Sequence, residues 1–164
     1  MFRDHYAAVR GYALRRTSPE AAQDAAAETF LVAWRRFEQV PDDARPWLLG
    51  VARRVLANER RSTKRGAALA QRVALTEVDT RSLGEAADET DAVRQALGRL
   101  SERDREALTL VAWHGLSGAR AARAAGCSRS AFAVRLHRAR RRLAAELGRD
   151  PAPDTPNPKS LEVT

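Results

Sequence analysis

Cysteine is almost missing from this chain of 164 residues, and Cys127 alone excludes an internal disulfide or a cysteine-based zinc site. Aromatic residues make up 5% of the chain, so few large rings are available to fill a core. Alternating runs rich in Val, Ile and Thr do not occur, which argues against a sheet. No stretch of about 18 apolar residues is present, and the start MFRDHYAAVR has no apolar signal region. The expectation is a cytoplasmic protein with no membrane insertion. His5, His114 and His137 are scattered without metal-ligand spacing, and no metal site is expected. A Ser-His-Asp set, a glycine-rich phosphate loop and a paired-carboxylate motif are all lacking. These absences point away from an enzyme and from any cofactor.

Positive charge is abundant. Lys and Arg number 29 against 21 Asp and Glu, a formal net charge of +8, with a pI near 11.0. Arginine clustered on helices in so basic a chain is the electrostatic footprint of a nucleic-acid binder. Ala, Arg, Leu and Glu dominate and favour helix by intrinsic propensity.

The stretch 116–143, LSGARAARAAGCSRSAFAVRLHRARRRL, reads as a short helix, a turn at Gly126 and a longer basic helix. Ser117 and Ser128 stand at N-cap positions, where a hydroxyl oxygen accepts an orphan backbone N–H. Gly126 provides the backbone freedom for a tight turn, and Cys127 beside it reads as a small core residue. Phe132, Leu136, Ala139 and Leu143 fall at steps of four, three and four, one apolar stripe. Arg129, Arg135, Arg138, Arg140, Arg141 and Arg142 surround that stripe with no acid among them. The pattern is that of a helix-turn-helix. Its bland reading is a salt-dependent basic patch without sequence preference.

The rest of the chain reads as further helices. Phe2 to about Arg16 carries Tyr6, Val9, Ala13 and Leu14 on one side. Thr17-Ser18-Pro19-Glu20 breaks that helix and starts another, with Pro early in the new one. In the segment 20–37, Ala26, Phe30, Ala33, Trp34 and Phe37 form a wide apolar face expected to pack in the core. Residues 46–61, PWLLGVARRVLANERR, bury Leu48, Val51, Ala52, Val55 and Leu56 and leave Arg53, Arg54, Asn58, Arg60 and Arg61 outside. Gly50 weakens such a helix by up to about 1 kcal/mol and marks a close backbone contact. Between Glu77 and Asp91 six acids face one base, the composition of a solvated linker. A second helical module begins near Asp91. In it Ser101 and Asp104 resemble a capping box, and Gly115 stops a helix carrying Ala107, Leu108, Val111 and Ala112. Four of the seven prolines lie after Gly148, a tail expected to be disordered.

Two stretches carry a family resemblance. EAAQDAAAETFLVAWRRFEQV followed by PWLLGVARRVLANERR resembles domain two of an extracytoplasmic-function sigma factor of the sigma-70 family. LGRLSERDREALTLVAWHGLS and AARAAGCSRSAFAVRLHRARRRL, in that order, resemble domain four. The resemblance covers about residues 2–147. It implies an all-α fold of two small helical domains joined by a flexible linker, the C-terminal one a helix-turn-helix. The boundaries read from the sequence are 1–65 for domain two, 66–90 for the linker, 91–147 for domain four and 148–164 for the tail.

The resemblance also implies a function: binding core RNA polymerase through its clamp helices and flap, and directing initiation at promoter DNA under an anti-sigma factor. The core-binding motif of the family falls on Asp24, Glu28, Thr29 and Phe30. With Phe30 and Trp34 read as core, Asp24, Glu28, Arg35 and Arg36 form the polymerase face; Ala27 stands where the family often has Gln. The minus-ten element is assigned to Trp47, Arg53, Arg54, Asn58 and Arg61. Arg holds phosphate and Asn offers a donor and an acceptor to an unstacked base. Trp47 has two readings, a stacking platform for melted bases and a core residue at a helix start, the commoner use. The loop 39–45 occupies the position that pockets a flipped base, and its Pro-Asp-Asp content departs from the family. The upstream element is assigned to Arg129, Ser130, Ala133 and Arg135 in the groove, with Arg138 and Arg141 on the backbone. Val134 replaces a small polar residue, and Arg120 replaces a frequent acid and is expected to add charge toward DNA. The competing reading is a stand-alone helix-turn-helix regulator with an N-terminal dimerisation or ligand module.

Overall fold

Helix caps written into the sequence divide the chain. The computed structural model describes residues 2–70 and 88–148, and among these every regular element is helical. The α-helices are α1 (Phe2–Leu14), α2 (Pro19–Arg35), α3 (Ala44–Ala70), α4 (Asp88–Arg99), α5 (Glu102–Ala112), α6 (Gly118–Ala125) and α7 (Arg129–Glu146), with a 3-10 turn at Phe37–Gln39. The residues read as linker lie mostly outside the described ones, although α3 continues to Ala70 and α4 begins at Asp88. Of the tail only Gly148 is described.

The Ser18 hydroxyl accepts from Ala21 N–H at 3.3 Å and Pro19 opens α2. Ser128 caps α7 through Ala131 N–H at 3.2 Å. Ser117 occupies the N-cap of α6 but makes no side-chain cap bond, contrary to expectation. Ser101 accepts from Asp104 N–H at 3.2 Å, half of a capping box. The Asp104 carboxylate instead pairs with Arg142 of α7. Gly126 adopts φ 66 and ψ 40 and donates back to α6, while Cys127 N–H reaches Ala122 O at 3.1 Å. This left-handed closure turns the chain from α6 into α7. Gly115, at φ 59, ends α5 in the same way, with Leu116 N–H on Leu110 O at 3.1 Å.

α1, α2 and α3 pack on one another, and α5, α6 and α7 form a second group with α4 against α7. The two helical domains share a contact of α3 with α6. One continuous cluster of buried residues runs from Val9, Tyr12 and Phe30 through Leu48 and Leu49 to Leu110, Leu116 and Phe132. Cys127 is partly buried against it. At Gly50 the α3 and α6 backbones come close, since a Cβ there would stand 3.4 Å from Ala124 O.

Two expected core residues lie outside. Trp34 is 79% exposed and Phe37 is 64% exposed. The buried arc of α2 runs through Ala22, Ala25, Ala26, Thr29, Phe30 and Ala33. At about 100° per residue, Trp34 falls beyond its edge. Phe37 belongs to the 3-10 turn, where the helical register no longer applies.

Polar groups also cross between the domains. Tyr12 donates to Glu106 Oε1 at 2.5 Å, both side chains buried, with the Arg16 guanidinium 3.6 Å above the Tyr12 ring. Burial is the chief cause that raises the Tyr12 phenol above its ordinary range. His114, not singled out by the sequence, is buried with its ring 5.8 Å from that of Tyr12. Burial, followed by the charges of Arg45, Arg15 and Arg16, pushes its imidazole down to about 4.

The left-handed backbone at Gly126, with the Arg53 guanidinium where a Cβ would go, predicts that Gly126→Ala destabilises the fold by at least about 1 kcal/mol in urea unfolding. A second prediction concerns acid. Above the unfolded value of 6.5, His114 is neutral in both states; as pH falls toward 4, only the unfolded chain takes the proton. Stability is therefore lost across that window, and His114→Phe should flatten this part of the profile when unfolding midpoints at pH 7 and pH 4.5 are compared.

Candidate nucleic-acid interface

α7 turns its apolar stripe inward, with Phe132 and Ala139 buried and Leu136 and Leu143 partly buried against the core. Its other side faces solvent. Ser130, Val134, Arg138 and Arg141 follow at steps of four, four and three and are all exposed. Ser130, Val134, Arg135 and Arg138 line an open groove of about 620 Å³ between α7 and the start of α5, opposite Ser101 and Arg103. Three of the residues assigned to upstream DNA are thus brought together. Arg129 lies on the other flank, beside Arg120, Arg123 and Cys127, and Ala133 is exposed between the two.

Charge on α7 is unequal. Arg142 is neutralised by Asp104, whose side chain is nearly inaccessible. Arg129, Arg135, Arg138 and Arg141 stand outside the ion pairs of the described residues. Arg103 on the facing wall of the groove and Val134, 52% exposed in its lining, join the assigned residues. Arg103 escaped the sequence reading because nothing local ties the first turn of α5 to α7. A groove lined by arginines together with Ala131 and Val134 can hold phosphate and meet a thymine methyl.

α3 divides the residues assigned to the minus-ten element. Arg54, Asn58 and Arg61 are exposed at steps of four and three. Arg61 donates to Asn58 Oδ1 at 3.1 Å and to Ala57 O at 3.2 Å, which holds the two on one stripe. Trp47, seven residues before Arg54, is half-buried and packs against the core at the start of that stripe. Arg53 is separate: its guanidinium lies against Gly126. Arg60 turns away too, pairing with Glu102 and donating to Arg16 O at 3.0 Å.

On α2, Asp24, Glu28, Leu31 and Arg35 share an exposed face at steps of four, three and four, with Arg36 exposed just beyond the helix. Glu59 of α3 approaches it. Its carboxyl is raised by burial first and then by the charges of Asp24 and Glu28. Thr29 and Phe30 point inward; the Thr29 hydroxyl donates to Ala25 O at 2.7 Å, and the Phe30 ring stacks edgewise on Phe2 at 4.7 Å.

Arg120, expected to add charge toward DNA, is engaged by a carboxylate. Its Nε and Nη2 grip the Asp43 carboxylate at 2.8 and 2.7 Å, and Arg123 adds a third contact at 3.2 Å. One acid of the Pro-Asp-Asp run in the loop 39–45 thereby has a structural role, since Asp43 ties that loop to α6. Among the described residues, no group of three or more potential metal ligands occurs. No helix there is long and apolar enough to cross a membrane.

Two helical units, the second a helix-turn-helix with an exposed arginine face, define a DNA-binding protein of transcription. The chain matches the sigma-70 region 2 family over residues 1–66 and the sigma-70 region 4 family over residues 90–143. It is 33% identical over 153 residues to the ECF RNA polymerase sigma factor SigL of Mycobacterium tuberculosis, covering 87% of this chain and 84% of that one. The chain belongs to the sigma-70 family as an extracytoplasmic-function sigma factor, a protein of promoter-specific transcription initiation. Its fold is similar to that of Bartonella quintana RpoE, solved in complex with the anti-sigma factor NepR. The TM-score is 0.72 at 24% identity, over 90% of this chain and 94% of that one. CnrH, solved with the cytosolic domain of CnrY, is similar with a TM-score of 0.59 at 25% identity, over 90% and 84%.

Proposed function

We propose that this chain binds core RNA polymerase through α2 and reads two promoter elements, the minus-ten element with α3 and the minus-thirty-five element with α7. The observation that carries the reading is two exposed basic stripes on separate helical units, Arg54, Asn58 and Arg61 on one and Ser130, Val134, Arg138 and Arg141 on the other. A stand-alone regulator needs only the second.

On α7, Arg135 and Ser130 approach base edges from the groove wall, and Arg138 and Arg141 hold phosphate. Arg129 and Ala133 extend the contact on the other flank. On α3, Asn58 meets an unstacked base while Arg54 and Arg61 hold the backbone, with Trp47 at the upstream end of the stripe. Arg53 joins them only where the contact with Gly126 is given up. Asp24, Glu28, Arg35 and Arg36 dock on the polymerase clamp helices, and domain four on the flap. Domain two is taken as 1–65 and domain four as 91–147. The protein works in the cytoplasm, carries out no catalysis of its own and is restrained by an anti-sigma factor. The complex of RpoE with NepR supports that last partner.

In vitro run-off transcription with core polymerase tests the reading directly; no specific transcript from any genomic fragment would overturn it. Arg135→Ala should weaken binding to the upstream element by about 1–3 kcal/mol where the arginine pairs bidentately with a base. An equal loss on random DNA would reassign it to phosphate. Asp24→Arg combined with Glu28→Arg should abolish co-purification with core polymerase while circular dichroism stays unchanged, because both side chains are exposed.

A further inference from the structure

Positive charge also collects outside the two DNA-reading stripes. Arg15 and Arg16 follow the last turn of α1, and Arg45 stands in the first turn of α3, which contains no acid. The Arg16 guanidinium lies 3.6 Å over the Tyr12 ring, and the His114 ring stands 5.8 Å from that same ring. Arg15 reaches the ring of Trp113, the residue before His114, at 5.1 Å. Burial first, then the charges of Arg45, Arg15 and Arg16, push the His114 imidazole down. All three guanidinium groups are thus within electrostatic reach of one ring. Burial and the neighbouring Arg16 charge lower Arg15 in turn, as expected of like charges crowded together.

This charge is not cancelled. Among the described residues none of the three arginines enters an ion pair. Arg15 donates to Gly11 O at 3.0 Å and Arg16 to Tyr12 O at 2.9 Å, but these carbonyls carry no net charge. Glu106 is a nearby carboxylate, and its Oε1 takes the Tyr12 hydroxyl. Arg45 Nε and His114 Nε2 are both buried without a hydrogen-bond partner among the described residues. His114 is only 5% exposed. Polar atoms buried in this way are costly unless something accepts their hydrogen bonds.

We propose that Arg15, Arg16, Arg45 and His114 Nε2 form a binding site for a phosphate group, free or carried by a mononucleotide. The three arginines are half-buried, so an anion reaches them from water, and their planar N–H forks match phosphate oxygens. His114 Nε2 supplies a further donor in the tautomer that carries its proton there. The first turn of α3 adds the positive end of a helix dipole. Trp113, 49% exposed beside Arg15, offers a ring face to the base of a nucleotide. None of these residues is among those assigned to promoter DNA or to core polymerase.

The test uses the full chain with inorganic phosphate and with AMP, each against sodium chloride at equal ionic strength, because salt alone screens charge. Phosphate should raise the thermal unfolding midpoint saturably, as a ligand of the folded state does. By NMR, the His114 imidazole should titrate above its value of about 4 when phosphate is present, because a bound anion favours the imidazolium. Arg45→Gln should weaken phosphate binding about ten-fold or more, the loss expected of a charge-assisted hydrogen bond. Arg15→Gln serves as the second variant where the first does not fold. Tighter binding of AMP than of inorganic phosphate assigns the site to a nucleotide, and equal or weaker binding assigns it to the free ion. A His114 titration that phosphate leaves unmoved overturns the site. A midpoint gain that both variants share in full with the unaltered chain overturns it too.

Discussion

Close approach between alanine-lined helices is the constraint on which the rest of this molecule depends. Each of the seven described α-helices buries at least one alanine, from Ala13 in α1 to Ala139 in α7, and α6 buries Ala121, Ala122, Ala124 and Ala125. A side chain of one methyl group makes dispersion contacts only when the backbones themselves come near. Gly50 against Ala124 is one such approach. Cores packed this tightly leave little room for large rings. Tyr12 and Phe132 are inside, whereas Trp34, Phe37 and Trp113 remain at the surface.

The same economy governs charge. Acids are fewer than bases, and those at the domain contact are committed to structure. Asp43 holds Arg120 and Arg123 and Glu102 holds Arg60, while within domain four Asp104 holds Arg142. Arg54, Arg129, Arg135, Arg138 and Arg141 stand outside these pairs. The excess positive charge is thus concentrated on α3 and α7, where a polyanion can approach and release its counterions. An arginine that looks available in the sequence is available in the molecule only if no carboxylate folds back onto it.

Local rules made much of this legible. The stripe of Phe132, Leu136, Ala139 and Leu143, the left-handed turn at Gly126, the cap at Ser18 before Pro19 and the close packing at Gly50 each follow from a few consecutive residues. The exposed faces of Asp24 with Glu28, and of Arg54 with Asn58 and Arg61, follow from the same helical periodicity. The interior places of Tyr12 and His114 do not, because each depends on a residue of the other domain. Trp34 failed as a core residue for a related reason, because an apolar face on α2 says what can be buried while the neighbouring helices set how much of it is; Phe37 failed because α2 ends at Arg35, before it.

Consecutive residues suffice for the helical character of the chain, the starts of α2 and α7, the inward side of α7 and the strongly basic charge. Its two ordered motifs carried the family resemblance. Packing in three dimensions alone brings Arg120 onto Asp43, Arg53 against Gly126 and Arg103 into the α7 groove. Helical periodicity acts over a few residues and can be read along the chain. The pairing of Asp43 with Arg120 spans 77 positions, and nothing in either neighbourhood specifies it until α3 closes on α6.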